Sequence, residues 1–363
     1  MKRCITSVTA AASIVGTLAV SRPSGAIGQT TYTASTRAAL ADPDTFYWQG
    51  TEYTFGSTEA GTDACGTAGG GPYYVPYVTA TPVAAGAGGS NVGQKCYSGD
   101  AMPFGPGLWA DVNSDIWAPG VEYFGGTFYM YYSALKAGTV QRCVGRATSN
   151  SVTGPYKSQS EWACPSSGRW AIDPDPFTSN GRMYVAYRDD AISSGNDSGI
   201  SIVRTAAGGF GDFSTRRDAL KGADVGWNTA SCLGSGRLVE NPAITLDADG
   251  NFYQFFSTGC WNEPPGTAPY ATGGSSCGTN PLPASRCMVV GGNTNPNFAY
   301  SASGLAPLQT LPGDHRGPGG MSLYKSNGNV RASWHWYFQM YVGAWRYTRT
   351  GTVLHSGTTW KVA

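Results

Sequence analysis

Charge is scarce in this chain. Only 13% of its 363 residues are Asp, Glu, Lys or Arg, the formal net charge is +1, and no run of Lys and Arg occurs. The electrostatic footprint of a nucleic-acid or anionic-membrane partner is therefore missing. Beyond the N-terminus no apolar run is long enough to span a bilayer. There is no Cys-x-x-Cys pair to suggest zinc, and no Gly-x-Ser-x-Gly, P-loop or dinucleotide-binding pattern. Glycine and aromatic residues are plentiful: 51 Gly, 21 Tyr, 13 Phe and 11 Trp. Glycine supplies the positive φ of tight turns and aromatics fill pleated surfaces, so the composition predicts many short strands and few helices. With 41% apolar residues, the chain can bury one large all-β core.

The N-terminus reads as a secretory signal over residues 1–26. Lys2 and Arg3 form the positive segment, Ile5 to Val20 is uncharged and largely apolar, and Ser24-Gly25-Ala26 is a small-residue cleavage site. One domain is expected over 27–363, secreted and extracellular, and working as a monomer. Removing Cys4 with the signal leaves eight cysteines, and an even number in an exported protein favours disulfides. Pairing neighbours along the chain gives Cys65–Cys96, Cys143–Cys164, Cys232–Cys260 and Cys277–Cys287, a choice that proximity alone supports among about 105 possible pairings.

Five segments repeat a pattern of alternating aromatic or branched residues around a glycine turn: Thr45–Phe55, Gly120–Tyr132, Pro176–Tyr187, Ala243–Phe256 and Met321–Trp334. Each predicts a β-hairpin. A β-sandwich would also yield hairpins, but five of them from Thr45 to Trp334 exceed what one sandwich needs. One conspicuous hairpin per four-stranded blade suits a five-bladed β-propeller. Residues 58–107 and 262–285, rich in Gly, Pro, Ala and Ser, read as loops over one face, pinned by disulfides.

An acidic motif precedes the hairpins. Ala41-Asp42-Pro43-Asp44 comes before the first, Asp115-Ile-Trp-Ala-Pro119 before the second, Ile172-Asp173-Pro174-Asp175 before the third and Val239-Glu240-Asn241-Pro242 before the fourth. In a propeller the innermost strands line a central channel, so acids at such positions converge. Convergent carboxylates in an aromatic pocket are what glycoside hydrolysis requires: one protonates the leaving oxygen and another activates water or attacks the sugar. Glu240, a lone acid between Val239 and Pro242, would be costly to bury for structure alone.

The ordered motifs Ala-Asp-Pro, Trp-Ala-Pro, Ile-Asp-Pro and Val-Glu-Asn-Pro resemble glycoside hydrolase family 43 from about Asp42 to Trp336. Members of that family are five-bladed propellers that invert the anomeric carbon and act mainly on arabinose- and xylose-containing polysaccharides. The resemblance implies Asp42 as general base, Asp173 as the residue that tunes the acid and orients substrate, and Glu240 as general acid. It points to an α-L-arabinofuranosidase ahead of a β-xylosidase or endo-arabinanase. A propeller that binds carbohydrate without catalysis is the alternative of another class. A fructan-acting propeller is disfavoured because its Asn-Asp-Pro, Arg-Asp-Pro and Glu-Cys motifs are absent. Two positions depart from the family pattern. Asn241 stands where Ala or Gly is common, and Gly317-Pro-Gly-Gly320 ends in glycine where a histidine facing a channel metal or water is common. No cofactor is required by this reading, and Asp247-Ala-Asp-Gly250 lacks the ligands of a calcium loop.

A glutamic acid needs its pKa raised by about two units, roughly 2.7 kcal/mol, to act as an acid near pH 6. A nearby ionised Asp173 and partial burial are expected to supply that push to Glu240. Trp117, Trp261, His315 and His335 are candidate substrate contacts. Asp44 and Asp175 are the easiest residues to confuse with the catalytic pair, and Asp115 caps a turn as readily as it lines a channel.

Overall fold

A computed structural model describes residues 40–58, 73–80, 97–166, 168–193, 195–226, 231–233, 236–247, 249–261, 270–292, 315–338, 346–356 and 359–362. The expected signal segment and the pair Cys65–Cys96 lie outside the described residues.

The chain is an all-β propeller. Five four-stranded antiparallel sheets are present among the described residues. The first holds β1 (Asp44–Trp48), β2 (Thr51–Phe55), β3 (Pro76–Ala80) and β4 (Gly99–Asp100). The second holds β5 (Trp117–Phe124), β6 (Thr127–Leu135), β7 (Arg142–Ser149) and β8 (Lys157–Ala163). The third holds β9 (Ala171–Ser179), β10 (Arg182–Asp189), β11 (Gly199–Thr205) and β12 (Gly211–Lys221), and a short ribbon of β13 (Ser231–Leu233) and β14 (Gly236–Arg237) follows it. The fourth holds β15 (Val239–Leu246), β16 (Phe252–Thr258), β17 (Ala271–Gly278) and β18 (Met288–Gly292). The fifth holds β19 (His315–Ser326), β20 (Asn329–Phe338), β21 (Arg346–Ser356) and β22 (Thr359–Val362). The first strand of each sheet touches the first strand of the next, β1 to β5, β9, β15, β19 and back to β1, which closes the ring.

All five expected hairpins form between the first two strands of a sheet. Gln49-Gly50, Gly125-Gly126, Asn180-Gly181 and Asn327-Gly328 each have positive φ at both turn residues. That is the two-residue turn whose twist matches the flanking strands.

The second strands β6, β10 and β16 are largely apolar because both of their faces are covered. On β6, Phe128, Met130 and Tyr132 pack toward the first sheet, whereas Tyr129 and Tyr131 join Met183, Val185 and Tyr187 of β10. On β16, Phe252 and Phe256 meet Tyr184 and Phe177, whereas Tyr253 and Phe255 meet Trp334 and Met321. The junction of the fifth and first sheets is more polar: Thr45 donates to Ser333 at 2.8 Å, Ser322 donates to Asp44 at 2.7 Å and Tyr324 donates to Glu52 at 3.2 Å.

The loop reading of 262–285 is corrected in part, since Ala271–Gly278 is an interior strand. Its small residues fit there because Gly273 and Gly274 lie opposite Phe256 and Phe255 of β16, which supply the bulk. Likewise β3 and β4 lie within 58–107. Disulfides join Cys143–Cys164, Cys232–Cys260 and Cys277–Cys287, as chain proximity predicts.

Candidate active site

One residue at the mouth of each sheet's first strand adopts a left-handed backbone: Asp42, Ala118, Asp173, Asn241 and Gly320. Asp, Asn and Gly tolerate this conformation, and in the first four the next residue is proline. The N–H of each is held by a side chain. Asp42 donates to His335 Nδ1 at 3.0 Å, Ala118 to Ser57 at 2.9 Å, Asp173 to Ser133 at 2.9 Å, Asn241 to Asp173 Oδ2 at 3.2 Å and Gly320 to Ser257 at 3.0 Å. These ties over-determine an otherwise unfavourable backbone and fix where the neighbouring carboxylates point.

Strand register sharpens the expected geometry. Trp117, Ile172, Glu240 and Gly319 pair with Ser133, Arg188, Ser257 and His335 respectively, so these four share one row. Asp42 and Asp173 belong to the row of Ala118, Asn241 and Gly320. Glu240 is therefore one residue out of step with the other two acids, not at their equivalent position.

Asp42, Asp173, Glu240, Trp117 and Trp261 nevertheless line one pocket of about 180 Å³. Trp170, Ile172, Arg188, Tyr270 and Arg346, none of them singled out from the sequence, complete it with Asn241. His335 is fully buried and lies behind Asp42, not in the pocket. His315 opens β19, but its side chain lies outside the described residues. Asp44 and Asp175 line a cavity with Glu122 and share a smaller one with Asp42 and Asp173, but neither lines the pocket that holds Glu240. Asp115 is exposed, and its carbonyl accepts from Arg142 at 3.3 Å. The Arg142 guanidinium lies 3.1 Å from the Trp117 ring centroid and covers one face of that indole.

The acids are in unlike surroundings. Burial works to raise Asp42, but the Arg346 guanidinium at 2.9 Å and the Ser57 hydroxyl at 2.8 Å outweigh it, and the carboxyl sits below the usual range. Burial and Arg346 push His335 down to about 3, so the imidazole is neutral and its Nδ1 lone pair is free to accept the Asp42 N–H. Burial raises Glu240; Arg188 at 2.9 Å and Tyr270 at 2.8 Å work against it without cancelling it. Burial, then repulsion from Glu240 and Asp42, raises Asp173 well above its ordinary value. The like-charge push thus falls most heavily on Asp173, because Arg188 pairs directly with Glu240. The two carboxyls titrate as a pair. Arg188 is itself fixed by a bidentate grip on Asp190, at 2.8 and 2.9 Å.

A channel metal held through a fifth-blade histidine does not fit these residues. Gly320 has no side chain, and the imidazole that reaches this place, from His335, uses Nδ1 to accept from the backbone.

The sequence profile of Glycosyl hydrolases family 43 matches residues 98–276. Over this stretch, about half of its length, the chain is similar to that family. The arabinan endo-1,5-alpha-L-arabinosidase A of Aspergillus niger is 31% identical to it over 93 residues, 24% of this chain and 29% of that relative. The chain therefore matches less than a third of that relative's length. A thermostable family-43 glycoside hydrolase superposes with a TM-score of 0.65 at 18% identity, covering 92% of this chain and 96% of that one. An alpha-L-arabinofuranosidase from Lactobacillus brevis superposes with a TM-score of 0.62 at 16% identity, covering 92% and 96%. These likenesses show the propeller fold.

Proposed function

We propose that this chain is a secreted inverting glycoside hydrolase of family 43, folded as five blades, that cleaves α-L-arabinofuranosyl bonds in arabinan-type polysaccharides. The observation that carries the reading is the opposed state of two acids in one tryptophan-lined pocket. Asp42 is held ionised beside Arg346, while Glu240 is raised by burial. One carboxylate set to accept a proton and another set to give one is the division of labour that inversion needs.

In this mechanism Glu240 protonates the glycosidic oxygen of the departing sugar. Asp42 takes a proton from a water that attacks the anomeric carbon from the opposite face. The C–O bond breaks as the new one forms, leaving Glu240 ionised and Asp42 protonated until exchange with solvent resets both. Asp173 accepts the Asn241 N–H and orients the strand mouth that carries Glu240. Trp117 and Trp261 offer faces on which a sugar ring can stack.

The arabinan-directed relative supports the substrate class, and the three disulfides support export. Digestion of linear arabinan and of an aryl arabinofuranoside tests the reading. Release of arabinose alone indicates exo action, the arabinofuranosidase reading, and short oligosaccharides indicate the endo reading. Proton NMR of the first-formed product should show the inverted anomer. Asp42→Asn and Glu240→Gln should each cut turnover by about 10²-fold or more in a folded protein. Full activity in either variant, or a retained anomer, sinks the assignment.

A further inference from the structure

Tyr270 makes two hydrogen bonds with one hydroxyl. Its oxygen lies 2.8 Å from Glu240 Oε1 and 2.9 Å from Asn241 Oδ1. Both partners are acceptors when Glu240 is ionised, but a phenol has a single proton to give. With the Asn241 amide oxygen turned toward the hydroxyl, both contacts are satisfied when Glu240 carries the proton. Glu240 Oε1–H then donates to the Tyr270 oxygen, and Tyr270 O–H donates to Asn241. The other carboxylate oxygen, Oε2, accepts from Arg188 at 2.9 Å, so the acid's proton belongs on Oε1.

The tyrosine ring is built into this place. It stacks on His335 with 5° between the planes and a centroid separation of 6.1 Å. A side chain at Gly319 would run into its Cδ1–Cε1 edge. Tyr270 itself is 2% exposed and Asn241 is 8% exposed, so water does not compete freely for either group. Asn241 is also the position at which this chain departs from the Ala or Gly common in family 43, and neither of those residues has a side-chain oxygen to offer Tyr270.

We infer that Asn241 and Tyr270 form a two-member relay that keeps the proton of Glu240 in place on Oε1 until it is transferred. The inference rests on the proposed role of Glu240 as general acid. By accepting the Tyr270 proton, Asn241 holds the hydroxyl hydrogen away from Glu240. An undirected hydroxyl would donate to the carboxylate and favour its early ionisation. When Glu240 gives its proton to the leaving oxygen, the Tyr270 O–H turns from Asn241 Oδ1 to Glu240 Oε1 and stabilises the new carboxylate. No proton is gained or lost by the relay; one hydrogen bond is exchanged for another. Asn241 is a positioning residue that acts through Tyr270, whereas Tyr270 touches the transferred proton at Glu240 Oε1.

Every charged or titratable group facing Glu240 is part of its setting. Arg188 from β10, with Asp190 behind it, lowers it, and Asp42 ahead of β1 raises it. Asp173 on β9 is coupled to it, Arg346 of β21 lies beyond Asp42, and neutral His335 of β20 stacks behind Tyr270. The relay acts on top of these, so it is read as a difference between variants.

The test is the Glu240 pKa in four proteins: wild type, Asn241→Gly, Tyr270→Phe and the double variant. Glycine is chosen because position 241 has a positive φ of 47°, which it adopts without strain. Carbon-13 NMR of labelled glutamate carboxyls, with Glu240 assigned from Glu240→Gln, reads the pKa without any turnover. In Asn241→Gly the Glu240 pKa should fall by about one unit, and the basic limb of the kcat/KM profile should move down with it. In the Tyr270→Phe background, Asn241→Gly should shift nothing. An unchanged pKa in Asn241→Gly, or the same fall without the tyrosine hydroxyl, overturns the relay. A rise would mean that the amide presents Nδ2 to the hydroxyl, and overturns it too. If the wild type cleaves no arabinoside while the NMR shifts follow the relay, the functional reading fails and the relay stands.

Discussion

The imidazole of His335 fills the volume that a side chain at position 320 would need. A Cβ on Gly320 would lie 2.7 Å from His335 Nδ1 and 3.1 Å from the Asp42 Cα. The chain thus brings an imidazole to the fifth-sheet mouth from β20, where it holds the backbone of the proposed base. Gly320 also has a positive φ of 56°. Gly320→Ala combines backbone strain with a clash against two groups that cannot retreat. It should lower stability by about 1–3 kcal/mol and displace Asp42. Thermal unfolding and kcat, measured together, should both fall, and a wild-type melting temperature would disprove the packing.

Arg346 is the cation that keeps Asp42 ionised, so Arg346→Gln should raise the Asp42 pKa. The base must be ionised to work, and the acidic limb of the rate profile should therefore move to higher pH, by about one unit. The same change alters stability. In the native protein Asp42 lies below its ordinary 3.8, so its stabilising contribution is present above 3.8 and is lost as pH falls through the native value. Arg346→Gln should reduce that contribution at neutral pH. An acidic limb that stays in place would remove Arg346 from this role.

Away from the pocket, Glu122 and Asp44 have the opposite sign. Burial raises Glu122 from 4.5 to about 7 and Asp44 from 3.8 to about 6. The native state binds these protons more tightly than the unfolded chain does. Stability from Glu122 is therefore fully present below 4.5 and declines as pH rises toward 7. Glu122→Gln cannot ionise and should flatten the melting temperature across that interval, leaving the variant ahead of wild type at pH 8. Parallel melting curves for the two proteins would refute the burial of this carboxyl.

The parts of this molecule that local chemistry specifies were legible in the sequence. Asn180-Gly181 and Asn327-Gly328 announce hairpins because few other dipeptides supply two positive φ values in succession. Asp42 and Asp173, each directly before a proline, and Glu240, a lone acid beside Val239, stand out at the heads of apolar strands, and the structure brings all three to one pocket. The parts that partners specify were not legible. β17 reads as a loop because its bulk comes from Phe255 and Phe256 on the next strand. Tyr270 and Arg346 belong to no motif: Tyr270 reaches Glu240 from two strands away in the same sheet, and Arg346 reaches Asp42 only through the ring closure. The one-residue offset of Glu240 depends on pairing with Ser257, which a linear sequence does not display. Arg188 had a faint signal, a charged residue ending the apolar run Met183-Tyr-Val-Ala-Tyr187 in a chain with little charge.

Trp261 follows Cys260 directly, and Cys260 is bonded to Cys232, 28 residues away. Trp261 is 48% exposed and lines the carboxylate pocket. The disulfide is the nearest covalent anchor. Replacing both cysteines with serine should cost about 3 kcal/mol of stability by loosening the unfolded-state constraint. It should also raise KM several-fold, because an indole whose backbone is no longer tethered spends less time in the sugar-stacking position. The carboxylates are carried on β9, β15 and the segment ahead of β1, none of which the disulfide touches, so kcat should change less than KM. Trp261→Ala should reproduce the KM effect without the loss of stability. If KM is unchanged in both variants, Trp261 is not a substrate platform; if only the tryptophan variant changes, the disulfide serves stability alone.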